Sequence, residues 1–133
     1  MTPGPDKLNS TIRIPVDEAR RICEAVFGET MGAPGKVTEA ATDVLVDADV
    51  RGIASHGISV LPYYLNKWQQ GQIVPTAELE LISETATTRV FAGHRSVGHY
   101  SSRRAMDTAI EKARSAGLGS AVVRNSTHNG AIS

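Results

Sequence analysis

Apolar residues recur at helical spacing through the first half of the chain, and a strand-like pattern begins only after Pro75. Val16, Ala19, Ile22, Cys23, Val26 and Phe27 repeat at intervals of three and four, which predicts an amphipathic helix. Pro15 or its neighbour can open it, because the first helical turn does not need its N–H. Gly28, Met31-Gly32 and Pro34-Gly35 break the pattern. A second helix is written by Val37, Ala40, Ala41, Val44, Leu45 and Ala48, with Thr38, Glu39, Thr42, Asp43 and Asp47 on the other side. It ends near Arg51-Gly52, where glycine can take the left-handed conformation. Leu61, Tyr64, Leu65 and Trp68 predict a third helix ending around Gly71, and Pro62 confines its start to the vicinity of Ser59.

Beyond Pro75, Leu79–Ser83 and Thr88–Ala92 read as two strands. Ser101 to Ala116 reads as a helix with Ala105, Met106, Ala109, Ile110 and Ala113 on one face, capped by Gly117. Leu118 to Val123 reads as a buried strand. The expected fold class is therefore mixed α/β: an N-terminal layer of about three helices, then the start of a mixed sheet with a strand-helix-strand unit. The expected division is a flexible tail at 1–11, a helical region at 12–74 and an incomplete α/β region at 75–133.

Composition narrows the class. The 133 residues are 41% hydrophobic and 21% charged, as in ordinary soluble domains. The 14 basic residues are scattered and balanced by 14 acidic ones, which argues against a nucleic-acid face. No apolar run reaches the ~18 residues of a membrane span, and the first residues lack the features of a secretory signal. Cys23 is the single cysteine and lies on an apolar helix side, where a packed, inert thiol is expected. A cytoplasmic location fits these features.

Two histidine motifs carry the candidate chemistry. Asp49-Val50-Arg51-Gly52-Ile53-Ala54-Ser55-His56-Gly57 closes the second helix, and Asn125-Ser126-Thr127-His128-Asn129-Gly130 follows the last strand. An imidazole near its ordinary pKa can pass a proton to a carbonyl oxygen as hydride arrives at carbon. A capping or surface role is the alternative for His56. Tyr64, eight residues on and near the same helical face, can donate a hydrogen bond into the same cleft or simply pack. His128 lies beyond a strand's carboxyl end, where α/β proteins place ligands, and Gly130 would admit a substrate or cofactor close to the backbone. Gly93 to Gly98 enters a helix but lacks the Lys-Ser/Thr of a P-loop, so a plain turn is favoured. His94 and His99 have no acidic or cysteine partner nearby in sequence, so no metal site is expected. A histidine-dependent hydrolase would need a nucleophile on a strand-turn-helix elbow, and neither Ser55 nor Ser126 sits on one.

These motifs, with Leu61-Pro62, Tyr64-Leu65, Ala105-Met106 and Val122 to Ser126, resemble the malate/L-lactate dehydrogenase family that lacks a Rossmann fold. The resemblance runs from about Val16 to Ser133. It implies an NAD- or NADP-dependent oxidoreductase interconverting 2-hydroxy and 2-oxo acids, generally dimeric. By the same resemblance His128 is the catalytic proton donor or acceptor and lies by the cofactor with Gly130, while Ser55, His56 and Tyr64 line the substrate pocket. Many relatives carry an arginine clamp for the substrate carboxylate where this chain has Val60. Relatives also run to well over twice this length. The expectation is an N-terminal portion, truncated before the cofactor-binding lobe and inactive alone. It should form a homodimer or associate with the missing C-terminal portion. The alternative is a non-catalytic dimerisation or interaction remnant.

Overall fold

The computed structural model describes residues 12–131. The tail expected at 1–11, and Ile132 and Ser133, lie outside the described residues. Four helices, α1 (Val16–Glu24), α2 (Gly35–Val50), α3 (Leu61–Gln69) and α4 (Gly98–Ala116), accompany three strands, β1 (Glu80–Glu84), β2 (Thr88–Ala92) and β3 (Ser120–Arg124). Three helices precede the sheet and the fourth lies between β2 and β3, and the class is mixed α/β as the sequence pattern predicts.

The core sits among the helices. Cys23, Phe27, Val37, Ala40, Ala41, Leu45, Tyr64 and Val97 are all buried in one cluster. Burial pushes the Cys23 thiol up to about 11, so it stays protonated and packs as a small apolar group. The expected polar side of α2 is not one: Thr38 and Thr42 are buried too. The helix is central, with α1 and α4 both packed on it, and its small residues allow the close approach. Asp43 fastens the three together, accepting bonds from Arg20 of α1 at 2.7 Å and Arg103 of α4 at 2.8 Å. Partial burial opposes its charge, but the two guanidiniums prevail and hold the carboxyl below the usual range.

The first helix does not stop at Phe27. It passes at Ala25 into a π-helix that runs to Thr30, with the Met31 N–H bonded five residues back to Val26 at 3.0 Å. Such wide turns are uncommon and often lie at functional sites. This one carries Phe27 into the space beside Tyr64 and His99. Into α3 the chain climbs through a 3₁₀ turn, Ile58–Val60, which leaves Pro62 in the first helical turn.

Strand order is β1-β2-β3, antiparallel for the first pair and parallel for the second, with α4 as the crossover. A bulge between Leu81 and Ser83 interrupts the hairpin register. Lys112 of α4 is nearly buried and ties the helix to the hairpin through Glu84 and the Thr85 carbonyl, at 2.8 and 2.7 Å. The last strand is not buried: its residues alternate between exposed and half-exposed, and Leu118 before it is 67% exposed. The physical reason is geometric. Successive side chains of β3 point to opposite faces of the sheet, and α4 packs on one of them, so among the described residues Ser120, Val122 and Arg124 on the other face are left exposed.

Candidate active site

Each histidine motif is held by identifiable local bonds. At the end of α2, Gly52 takes φ +79° and the Ile53 N–H reaches back to the Ala48 carbonyl at 2.7 Å, which turns the chain sharply. Asp49 then receives the Ile58 N–H at 2.8 Å, pinning the loop that carries Ser55 and His56. Gly57 lies directly over that carboxylate, and a side chain there would overlap it. Arg51 pairs with Asp47 at 2.7 Å and so is held on its own helix. Replacing Asp49 with Ala should cost about 1–2 kcal/mol, the worth of one charge-assisted hydrogen bond. Asp49→Asn keeps the acceptor and should recover most of that loss. Chemical denaturation, with amide exchange of Ile58 as a local probe, checks both expectations.

The second motif lies along the start of α4. Gly98 donates its N–H to Thr127 Oγ1 at 3.1 Å, and that hydroxyl donates to the Ser96 carbonyl at 2.9 Å. Ser101 and Ser126 share a hydroxyl bond of 2.6 Å, and Asn129 reaches Ser102 at 3.2 Å. The Thr127 and His128 carbonyls cross so near Gly98 that no Cβ fits there. This docking takes up the first N–H of the helix. The preceding turn is similarly committed, with the Gly93 and Arg95 N–H groups bonded to the Arg124 and Asn125 carbonyls at 2.8 Å each.

The two motifs meet. The His56 and His128 rings stack with centroids 5.9 Å apart and planes 26° from parallel. Ser55 Oγ is 2.9 Å from His56 Nδ1. Tyr64 is 0% exposed, and its hydroxyl lies 2.8 Å from His128 Nδ1 and 3.2 Å from His99 Nε2. Burial raises the Tyr64 pKa well above the ordinary phenol, so the hydroxyl keeps its proton. Gly130, expected to admit a cofactor, is instead buried at φ +78°, with Val44 and the His99 ring filling the space a side chain would take. His94 and His99 do not converge: His94 is exposed and bonded to Glu80 at 2.7 Å, while His99 is only 1% exposed. Among the described residues no group of three or more His, Cys, Asp or Glu side chains could hold a metal ion.

Three participants escape a reading of the sequence. Beside His128 a recess of about 210 Å³ is lined by Tyr63, Lys67, Gln72, Ile73, Thr127 and His128. Tyr63 is 47% exposed and turns its ring edge-on to His128 at 6.1 Å. Lys67 holds its ammonium 5.7 Å from the Tyr63 ring centroid. Its spacing of three from Tyr64 and four from Tyr63 was the available signal, since such residues share a helix face. His99, the third, gives no local signal, because its partner Tyr64 is 35 positions away.

A mixed α/β scaffold thus brings two imidazoles and a buried phenol together, with one of the imidazoles, His128, lining a small recess. The profile of the malate/L-lactate dehydrogenase family matches residues 14–133, and the chain belongs to that family. It is 33% identical to the L-sulfolactate dehydrogenase of Methanocaldococcus jannaschii over 116 residues, covering 87% of this chain and 33% of that protein. It is 35% identical to the malate dehydrogenase of Pyrococcus abyssi over 119 residues, covering 90% of this chain and 33% of the other. The malate dehydrogenase structure of Entamoeba histolytica superposes with a TM-score of 0.86 at 36% identity, over 91% of this chain and 34% of that one. The chain thus spans about a third of the length of the relatives it matches.

Proposed function

We propose that this chain supplies the acid-binding and proton-handling part of an NAD(P)-dependent oxidoreductase that interconverts 2-hydroxy and 2-oxo acids. The observation that carries the proposal is the stacking of His56 on His128, a ring that lines a small recess together with Lys67. In this reading His128 exchanges the proton with the substrate oxygen, and Ser55 and His56 orient that oxygen. Tyr64 acts on the pocket through its bond to His128 Nδ1. Lys67 pairs with the substrate carboxylate, a role Val60 cannot fill.

The reacting end of a nicotinamide fits here, since His128 is exposed beside an aromatic face. Its phosphates find little support here, because the Gly98, Gly93, Arg95 and Ser96 N–H groups bond to the chain itself. A bound nicotinamide would exchange hydride with the substrate carbon; nothing among these residues selects NAD over NADP. The chain alone is then expected to lack turnover.

Titrating the isotope-labelled chain with L-malate or oxaloacetate tests this reading by nuclear magnetic resonance. Ring signals of His56 and His128 and the Lys67 ammonium should move together. Lys67→Ala should weaken binding roughly tenfold, the worth of one charged contact of about 1.4 kcal/mol. No response at His128 at any acid concentration would sink the proposal. Incubation with NADH or NADPH and a panel of 2-oxo acids tests the expected inactivity.

A second reading, association through an interaction surface, draws on one observation. Met106 (62% exposed), Ile110, Leu118 and Val122 leave apolar surface uncovered on α4 and around β3. A homodimer, or docking of the part that relatives carry beyond this stretch, would cover it. Light scattering that shows a stable dimer, without acid binding, would favour this reading.

A further inference from the structure

His99 stands outside every role assigned so far, yet it is one of the most deeply buried side chains in the protein. It lies on the first turn of α4, with Phe27 edge-on to its ring at 6.3 Å and Gly130 pressed against its Nε2 side. One ring nitrogen, Nε2, is 3.2 Å from Tyr64 Oη, and the other, Nδ1, has no partner. Tyr64 Oη is in turn 2.8 Å from His128 Nδ1. Three polar groups from α4, α3 and the segment after β3 thus form one chain running from the interior to the exposed imidazole.

The direction of the protons along that chain follows from what each group can do. The Gly130 backbone N–H points at His128 Nδ1 at 3.3 Å, and an N–H can only donate. His128 Nδ1 therefore offers a lone pair, and Tyr64, at the shorter of its two distances, donates its O–H there. Tyr64 oxygen is then left to accept, and the group facing it is His99 Nε2. A neutral His99 with its proton on Nε2 donates that bond and leaves only a lone pair unmatched at Nδ1. The opposite tautomer would bury an orphaned N–H at Nδ1, the costlier defect, and would draw the Tyr64 proton away from His128. Burial holds His99 neutral, its pKa lowered to about 4 by desolvation and by the nearby His128.

We infer that His99 is a positioning residue. Through Tyr64 it fixes the tautomer of His128, a ring that lines the recess, keeping Nδ1 as an acceptor and Nε2 as the proton-bearing nitrogen. Acting on a carbonyl oxygen, that arrangement presents a donor; the reverse tautomer presents only a lone pair. This inference rests on the reading of His128 as the proton-exchanging group, and its own content is the hydrogen-bond chain behind that group.

The test is the ¹⁵N chemical shift of the two His128 ring nitrogens in the chain as it stands, with no acid or cofactor, at a pH where the ring is neutral. The wild-type protein should show Nε2 protonated and Nδ1 bare. In His99→Leu the ratio of the Nδ1–H to the Nε2–H form should rise roughly fivefold, the equivalent of one net hydrogen bond of about 1 kcal/mol. His99→Gln, which retains an N–H donor, should restore the wild-type pattern. Tyr64→Phe removes the link itself and should shift the ratio as His99→Leu does; adding His99→Leu to it should change nothing further. An unchanged ratio in Tyr64→Phe, or in a folded His99→Leu, overturns the inference, as does failure of His99→Gln to restore it. Because no ligand is present, a negative result here beside a positive malate titration removes only the role of His99. The expected ratios beside a silent titration keep the hydrogen-bond chain and remove the proton-exchange reading.

Discussion

Acidification to about pH 4 is expected to remove roughly 3 kcal/mol of stability through His99 alone. In the folded protein burial keeps this ring neutral down to about 4, whereas in the unfolded chain it takes up a proton near its ordinary value of 6.5. Between those values the unfolded chain binds more protons, so each step down in pH favours unfolding. The contribution is complete above the unfolded value and is lost as the pH falls to the folded one. The groups packed around the ring are Phe27, Tyr64, Gly130 and His128, none of them a carboxylate that would stabilise its charge. Denaturant midpoints measured from about pH 7.5 down to pH 4 give the slope. His99→Gln keeps a polar side chain without the titration and should flatten it over that interval. Asp43 also loses stabilising pairs in acid, but equally in both proteins, so the difference between them isolates His99. Parallel slopes would contradict the expectation.

The other large effect is expected at Gly98. A methyl group there would run into the carbonyls of Thr127 and His128, which are backbone atoms and cannot rotate away. Gly98→Ala should cost roughly 3 kcal/mol, the upper part of the range for forcing atoms into a packed site. The same change must lift the His128 segment from α4, breaking the Gly98–Thr127 and Ser101–Ser126 bonds and separating His128 from His56. The matched control is Gly35→Ala at the start of α2, where nothing lies within 4 Å of the added carbon. It should be neutral or stabilising by several tenths of a kcal/mol, since alanine restricts the unfolded chain. Denaturation of the pair measures the cost, and cross-relaxation between the two imidazoles reports the displacement.

The contrast between these two glycines shows where sequence reading stops. Both stand at a helix start, and no local pattern separates them; only the carbonyls of residues 127 and 128, about thirty positions on, make one indispensable. Elements defined by their own periodicity were legible. The α2 stripe, the Gly52 and Gly117 ends, the Thr88–Ala92 strand and the limit that Pro62 sets on α3 all appear where the pattern puts them. Properties that depend on a neighbour were not. Thr42 reads as a solvent-facing residue and is buried because α1 and α4 both pack on α2. Val122 reads as part of a buried strand and is exposed because α4 covers only the other face of β3.

The chemistry divides along the same line. Ser55, His56 and His128 stand out in the chain because glycines and element ends frame them, and the two motifs together mark the family. Tertiary packing alone brought the rings within 5.9 Å, placed Lys67 at the recess and threaded Tyr64 between His99 and His128. Side-chain periodicity records which face of a segment avoids water, and that is a local quantity. Which buried polar group answers another is decided by segments distant in sequence, so it becomes visible only when the chain has folded.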